Sequence, residues 1–399
     1  GHPGKRWLRS VGNERISPMG LSQTIWNNPT EYMRVQAPEN PVLLFAPTVL
    51  QETARRFLAG FPGLVTYAVK SNPDEMVIQN LAAAGVRGYD VASPFEIEMI
   101  RRLAPDAAMH YNNPVRSRRE IAFALENGVR SYSVDSHSEL RKLADMLPAQ
   151  GTEIAVRFKL PVAGAAYDFG AKFGASAELA TDLLRTVAAL GFIPSLTFHA
   201  GTQCTDPMAW DAYIRTAARI AADADVQLAR LNVGGGFPAH RRVAHLPQLE
   251  EIFALIDRVS AEVFGQSRPE LVCEPGRGIV GESCVLIARV KALRDDTHVF
   301  LNDGYYGSMN ELALIGMIDR VQVVSPDGHL RKAPAIGRIV FGPTCDSTDR
   351  MPGAVMLPGD TAEGDYVVIH GMGAYATVTN TRFNGFGELT IATTLSLAL

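Results

Sequence analysis

The sequence predicts an α/β chain, a (β/α)8 TIM-type barrel followed by a mostly antiparallel β domain, and three observations carry that prediction. From residue 64 onward short β-rich runs alternate with longer stretches of helical periodicity, and each run ends in a polar or glycine-rich turn. After about residue 285 the rhythm changes to strands joined by turns with little helix between them. The 399 residues, 47% of them hydrophobic, suffice for one large core and a smaller one.

Taken in order, residues 1–44 form an N-terminal segment that partly joins the β domain, and "VLLFAP" near residue 45 is a strand preceding the barrel. The eight runs are "LVTYAVKSN", "RGYDVAS", "AMHYNNP", "SYSVDS", "EIAVRFK", "SLTFHAGT", "LARLNVGGG" and "ELVCEPGR". Between them, segments such as "PFEIEMIRRLA" and "SHSELRKLADML" read as amphipathic helices. Eight β/α units in succession close into a parallel barrel over 45–284, an open doubly wound sheet being the structural alternative. The β domain over 285–399 takes its strands from "CVLIARVKALRD", "THVFLND", "AIGRIVFG", "DYVVIHG" and "ATVTN".

Composition narrows the function. A formal net charge of -4 gives no electrostatic footprint for nucleic acid or an anionic membrane, which leaves small-molecule chemistry. Cys204, Cys273, Cys284 and Cys345 are scattered without CxxC spacing, so neither a zinc site nor a disulfide framework is expected, and a cytoplasmic location fits. No apolar run approaches the roughly 18 residues that span a bilayer. The opening "GHPGKRWLRS" lacks the apolar centre of a signal peptide, and Gly1-His2, with no initiator Met, reads as a cloning remnant.

In a barrel of this kind the C-terminal strand ends form the active face. Lys70, Asp90, Asn112, Asp135, Arg157, His199, the Gly234-Gly235-Gly236 run, Glu274 and Arg277 all fall there. The glycine run is either a tight loop or a set of backbone N–H groups that binds phosphate, with Arg277 adding a charged fork to the same anion. Lys70 is either an ion-paired, snorkelling lysine or an amine ready to condense with a carbonyl. Phosphate plus an amine-reactive aldehyde describes pyridoxal 5'-phosphate (PLP). Glu274 can keep its pyridine nitrogen protonated and His199 can stack on its ring, although singly they read as a salt-bridge partner and a structural histidine. Cys345, in "FGPTCDSTDRM", falls in a loop with Pro343 and Thr344; alone it reads as structural, and Asp346 and Asp349 as solvated loop acids.

Over most of its length the chain resembles the fold type III (alanine-racemase-fold) PLP-dependent decarboxylases, the group of ornithine, lysine and diaminopimelate decarboxylases. The resemblance rests on "YAVKSN", "YDVASPFEIE", "YNNP", "VDS", "FHAGTQC", "NVGGGFP", "CEPGRGIV", "NDGYYGSMN", "GPTCDSTD" and "GAYATVTNTRFNGF", in that order. It implies that Lys70 bonds covalently to the cofactor, His199 stacks on its ring and Glu274 pairs with its pyridine nitrogen. Thr202, Gly235, Gly236, Arg277 and Tyr375 would hold the phosphate, Thr202 replacing the serine common in ornithine decarboxylases. Asp90 and Arg157 would form the network around the lysine. Cys345 would return a proton to the α carbon, while Asp346 and Tyr306 would face the substrate. In this family the β-domain residues reach the neighbouring subunit's barrel, so the resemblance implies a homodimer with shared sites. "PTCD" favours the ornithine and lysine branch over diaminopimelate decarboxylase.

Two departures bear on the substrate. Ornithine-type enzymes carry an acid shortly after "YGS" that helps bind the distal ammonium, and here Leu314, Ile315 and Gly316 stand at the corresponding places. Desolvating an ammonium without a charged partner costs on the order of several kcal/mol. Arg382, in "NTRFNGF", replaces a small residue and is either a surface arginine or a partner for a substrate carboxylate. The two together point to a diamino acid already acylated by an acid, such as citryl-diaminopropionate of siderophore biosynthesis. Free ornithine or lysine, as in polyamine metabolism, is the alternative. A same-fold racemase would want a tyrosine acid/base, and a non-catalytic binding homologue would have lost Lys70 or Cys345.

Overall fold

A computed structural model of the chain describes residues 13–16, 22–161, 172–239, 248–315 and 320–399. Gly1, His2, most of the opening stretch and Gly316 lie outside the described residues. Two compact units emerge, one from Thr53–Pro238 and Leu246–Ile279, the other from the chain before Thr53 and after Ile279, with a short stretch starting at Ala239.

The first unit is a closed barrel of eight parallel strands: Leu64–Ala68, Gly88–Val91, Ala108–Tyr111, Ser131–Val134, Glu153–Arg157, Ile193–Thr197, Arg230–Asn232 and Glu270–Cys273. Each of the eight predicted runs contributes one. Strands follow chain order around the ring, and the last closes on the first through Val272 opposite Leu64 and Cys273 opposite Val65. Alternate strand residues are apolar and buried, among them Tyr67, Tyr89, Tyr111, Tyr132, Val156, Leu196 and Leu231. The intervening set is largely polar, and the Arg230–Glu153 bond within it, like the Asn112–Glu274 bond just past the strand ends, joins strands that are not neighbours, which places those side chains in the lumen.

Helix starts are set by capping side chains in the turns that follow the strands. Ser93 caps Pro94–Leu103 by accepting from the Glu96 N–H, while the Glu96 carboxylate reaches back to the Ala92 N–H at 2.8 Å. Ser117 and Glu120 make a reciprocal capping box on Arg118–Glu126, and Ser136 caps His137–Met146. Each such cap contributes about 1 kcal/mol and fixes the geometry of the turn that follows its strand.

In the second unit the described residues form a ten-stranded, mostly antiparallel sheet. Its long central strand, Cys284–Arg294, pairs with Val42–Phe45, His298–Leu301 and Tyr366–Ile369. Trp26, Tyr32, Val42, Leu44, Val285, Ile287, Tyr366 and Val368 pack its core. Asn13–Ile16 and Ser22–Trp26 pair with each other in this sheet, and Val42–Phe45, from "VLLFAP", is also part of it. One expected strand is absent: "ATVTN" (376–380) is a turn. Tyr375 sits in the left-handed region at φ 66°, and the Thr379 hydroxyl and Asn380 amide donate to the Tyr375 and Ala376 carbonyls. Those side chains satisfy the backbone locally and remove its need for a ladder.

Among the described residues no helix is long and apolar enough to cross a membrane, and no group of His, Cys, Asp and Glu is arranged to hold a metal ion.

Candidate active site

The barrel mouth gathers the charged strand-end residues. The strand Leu64–Ala68 ends one residue before Val69, and Lys70 is exposed in the 3-10 turn Val69–Ser71 that follows. That turn abuts the end of the eighth strand: the Ala68 N–H donates to the Pro275 carbonyl at 3.1 Å, and a Cβ on Gly276 would meet the Ser71 hydroxyl at 2.8 Å. Buried Arg277 opens the short helix Arg277–Val280 next to it. Opposite, Asn112 donates its amide to Glu274 Oε2 at 2.7 Å, and Asn232 reaches the same oxygen at 3.4 Å.

The electrostatics of this cluster are unbalanced. Burial, then the neighbouring Glu274 carboxylate, push the Asp90 carboxyl well above the usual range, with the Lys70 ammonium only partly offsetting them. Burial also raises Glu96, against the Ala92 N–H and the Lys70 charge. Glu96, absent from the sequence reading as a site residue, therefore belongs to the cluster; its only signal was its place three residues after a capping serine.

His199 follows the sixth strand. Burial and the positive charges of Arg157 and Lys70 lower its pKa to about 4, so the imidazole is neutral at pH 7. Its Nδ1 accepts from the Gly201 N–H at 3.1 Å, leaving the proton on Nε2. The glycine run lies beside this ring: a Cβ on Gly235 would stand 3.7 Å from His199 Nε2, and one on Gly236 3.5 Å from Cε1. Gly234 (φ 73°) and Gly236 (φ 82°) adopt the left-handed region, where a Cβ would collide with the Phe198 and Gly201 carbonyls at 2.2 and 2.1 Å. Exposed Thr202 shares the His199 loop, which the Cys204 N–H ties to the Gly236 carbonyl at 2.8 Å. Arg157 lies against the Phe173 ring, and Asp135 is occupied by the Gly174 N–H at 2.9 Å.

The second unit holds its own cluster. Cys345 is exposed, and its N–H donates to Asn384 Oδ1 at 2.8 Å. Tyr306 donates its hydroxyl to Asp346, and with the Thr348 N–H this holds the Asp346 carboxyl below the usual range. The Thr381 N–H donates to the Tyr306 carbonyl at 2.8 Å, and the Phe383 ring lies 4.9 Å from the Tyr306 ring, so exposed Arg382 sits in the segment bound to Tyr306 and Cys345. Leu314 is 68% exposed. Tyr375 is half-buried at its left-handed turn.

Asp349 corrects the expectation of a solvated acid. It is 1% exposed and accepts from the Tyr305 N–H, the Thr344 N–H and the Thr344 hydroxyl at 2.8, 3.0 and 2.6 Å. Gly304 and Gly342 make the room, since a Cβ on either would stand 2.3 or 2.1 Å from its Oδ1. Asp349 thus fastens the Tyr305–Tyr306 turn to the loop that carries Cys345.

Comparison with known proteins gives a consistent picture. The family profile "Pyridoxal-dependent decarboxylase, pyridoxal binding domain" matches residues 49–281. The decarboxylase flvG of Aspergillus flavus is 30% identical over 346 residues, covering 80% of this chain and 77% of that protein. The lysine/ornithine decarboxylase of Selenomonas ruminantium is 31% identical over 331 residues, 81% of each. The crystal structure of the lysine/ornithine decarboxylase of Vibrio vulnificus complexed with cadaverine superposes with a TM-score of 0.76 at 27% identity, over 88% of this chain and 94% of that one.

Proposed function

The chain belongs to the pyridoxal-dependent decarboxylases of the ornithine, lysine and arginine type, and from that premise we propose that it releases carbon dioxide from the α carbon of a diamino-acid-type substrate whose distal amine is acylated by a carboxylic acid. Citryl-diaminopropionate of siderophore biosynthesis is a concrete case.

The cofactor of this family is PLP, and the barrel mouth fits it. A glycine cradle that admits no side chain lies against a neutral histidine ring, with Lys70 and Arg277 on adjoining turns. Lys70 would hold the aldehyde carbon; Thr202, Gly235, Gly236, Arg277 and Tyr375 the phosphate; His199 one face of the ring; and Glu274 the pyridine nitrogen, with Asp90 and Arg157 around the lysine. Bound there, the group supplies an electron sink for the pair left when the bond from Cα to the carboxylate breaks. Glu274 would hold the proton on the nitrogen that makes the sink effective. Asp90, whose carboxyl burial and the neighbouring Glu274 push upward, would be a proton-binding group beside Lys70. Cys345, exposed on its loop, would deliver a proton to Cα, and Lys70 would take part in releasing the product amine.

Arg382 carries the choice of substrate. It brings a cation into the segment that binds Tyr306 and Cys345, while exposed Leu314 stands where a free diamine would want an acid. The free ornithine or lysine reading has its own support in Asp346, which Tyr306 and Thr348 keep ionised and ready for an ammonium. Carbon dioxide release from a panel of free and acylated diamino acids decides between them. The conjugates are expected to be turned over more efficiently, and equal or better turnover of the free diamino acids overturns the acylated reading. The protein acts as a cytoplasmic homodimer with Cys345 and Asp346 completing the partner's site; a monomer in sedimentation equilibrium would remove that part.

A further inference from the structure

Glu274 is held by groups that the family resemblance gave no role. Asn112 directly follows the third strand and Glu274 the eighth, so their 2.7 Å hydrogen bond crosses the barrel mouth. Asn232, at 3.4 Å, shares the same oxygen. Two amides on one oxygen fix the orientation of the carboxylate, and Asp90 is a further hydrogen-bonding neighbour.

Asn112 is itself fixed from behind. Its carbonyl accepts from the Ser133 hydroxyl at 2.7 Å. Arg116, 1% exposed, donates to the carbonyls on either side of it, Tyr111 at 3.1 Å and Asn113 at 2.8 Å, and to the Ser133 carbonyl at 2.5 Å. The guanidinium lies against the Tyr111 and Tyr132 rings and 3.5 Å from Glu139, which also accepts from the Arg116 N–H. A buried cation with so many fixed acceptors has one available geometry. It imposes that geometry on the backbone of Asn112.

We propose that Asn112, locked by the buried Arg116, is a positioning residue that aims the Glu274 carboxylate at the cofactor's ring nitrogen. This rests on the reading of Glu274 given above.

The test compares PLP-loaded wild type, Asn112→Ala, Asn112→Asp, Glu274→Gln and the double variant Asn112→Ala/Glu274→Gln. Both Asn112 variants are expected to lower kcat about 10–100-fold, the scale on which supporting groups around a reactive centre act, with KM within about twofold. Both should also shift the pH titration of the bound cofactor's visible band. Aspartate has the size of asparagine but no amide donor, so a purely packing role predicts an Asn112→Asp enzyme like wild type, and that result overturns the proposal. On the Glu274→Gln background Asn112→Ala should add less than about twofold; full multiplicative loss shows that Asn112 acts elsewhere and also overturns it. A Glu274→Gln enzyme with wild-type kcat removes the reading of Glu274 itself, a result distinct from the other two.

Discussion

The two ends of the barrel lumen use carboxylates to opposite effect. On the floor, Glu153 accepts from Ser131 and Arg230 on one oxygen, both at 2.6 Å, and from Ser195 at 2.6 Å and Arg230 at 2.8 Å on the other. Burial alone would raise this carboxyl, but the Arg230 bonds and charge, with the two serines, bring it down to about 2. At the mouth, Asp90 and Glu96 feel the Lys70 charge, yet burial and the neighbouring Glu274 drive Asp90 far upward. A carboxylate whose lone pairs are filled by fixed donors is structural. One left short of donors and beside another acid keeps proton-binding capacity for chemistry.

Breaking the mouth should cost the most activity and the least stability. Lys70→Ala is expected to lose the visible absorbance of bound cofactor and to reduce carbon dioxide release by more than about a thousandfold, the scale on which a covalent participant counts. Its melting temperature without cofactor should match wild type; a retained visible band would dissolve the assignment of Lys70.

Breaking the floor should do the reverse. Glu153→Gln leaves the Arg230 cation without its partner and is expected to destabilise the fold by about 3–5 kcal/mol in urea unfolding. Activity per folded molecule should be unchanged, and a fall in kcat without a loss of stability would erase the distinction between the two ends.

The smallest effect sharpens the comparison through pH. Burial and the Arg230 charge lower His110 from 6.5 to about 4. The unfolded chain therefore binds more protons than the folded one between those values, so this histidine's contribution is intact above about 6.5 and is lost as pH falls toward 4, by up to about 1.4 kcal/mol per pH unit. His110→Asn should flatten the fall in stability over that window, and an unchanged slope in melts at pH 6.5 and 4.5 would show that His110 does not contribute it.

The mouth was legible in the sequence because each candidate ends a β-rich run, and position along a strand is something a period-two pattern reveals. The floor was not: Glu153, Arg230 and His110 come from three separate runs, and nothing in any one run says that they meet across the lumen. Asp349 looked like a loop acid because the two glycines that admit it lie 45 and 7 positions away. "ATVTN" looked like a strand because β-branching outweighed what Thr379 and Asn380 do to their own backbone. Lines of chemistry were visible; saturation and enclosure were not.

The ring is sewn shut between its first strand and its last, with the Thr66 hydroxyl on the Cys273 carbonyl 207 positions downstream. During synthesis the amine of Lys70 leaves the ribosome long before the acid and the arginine that adjoin it, and until the final strand docks it is an ordinary lysine on an open ribbon. On the role proposed for Lys70, capture of the vitamin-derived aldehyde would therefore be a receipt for a finished circle, something helix content alone does not certify.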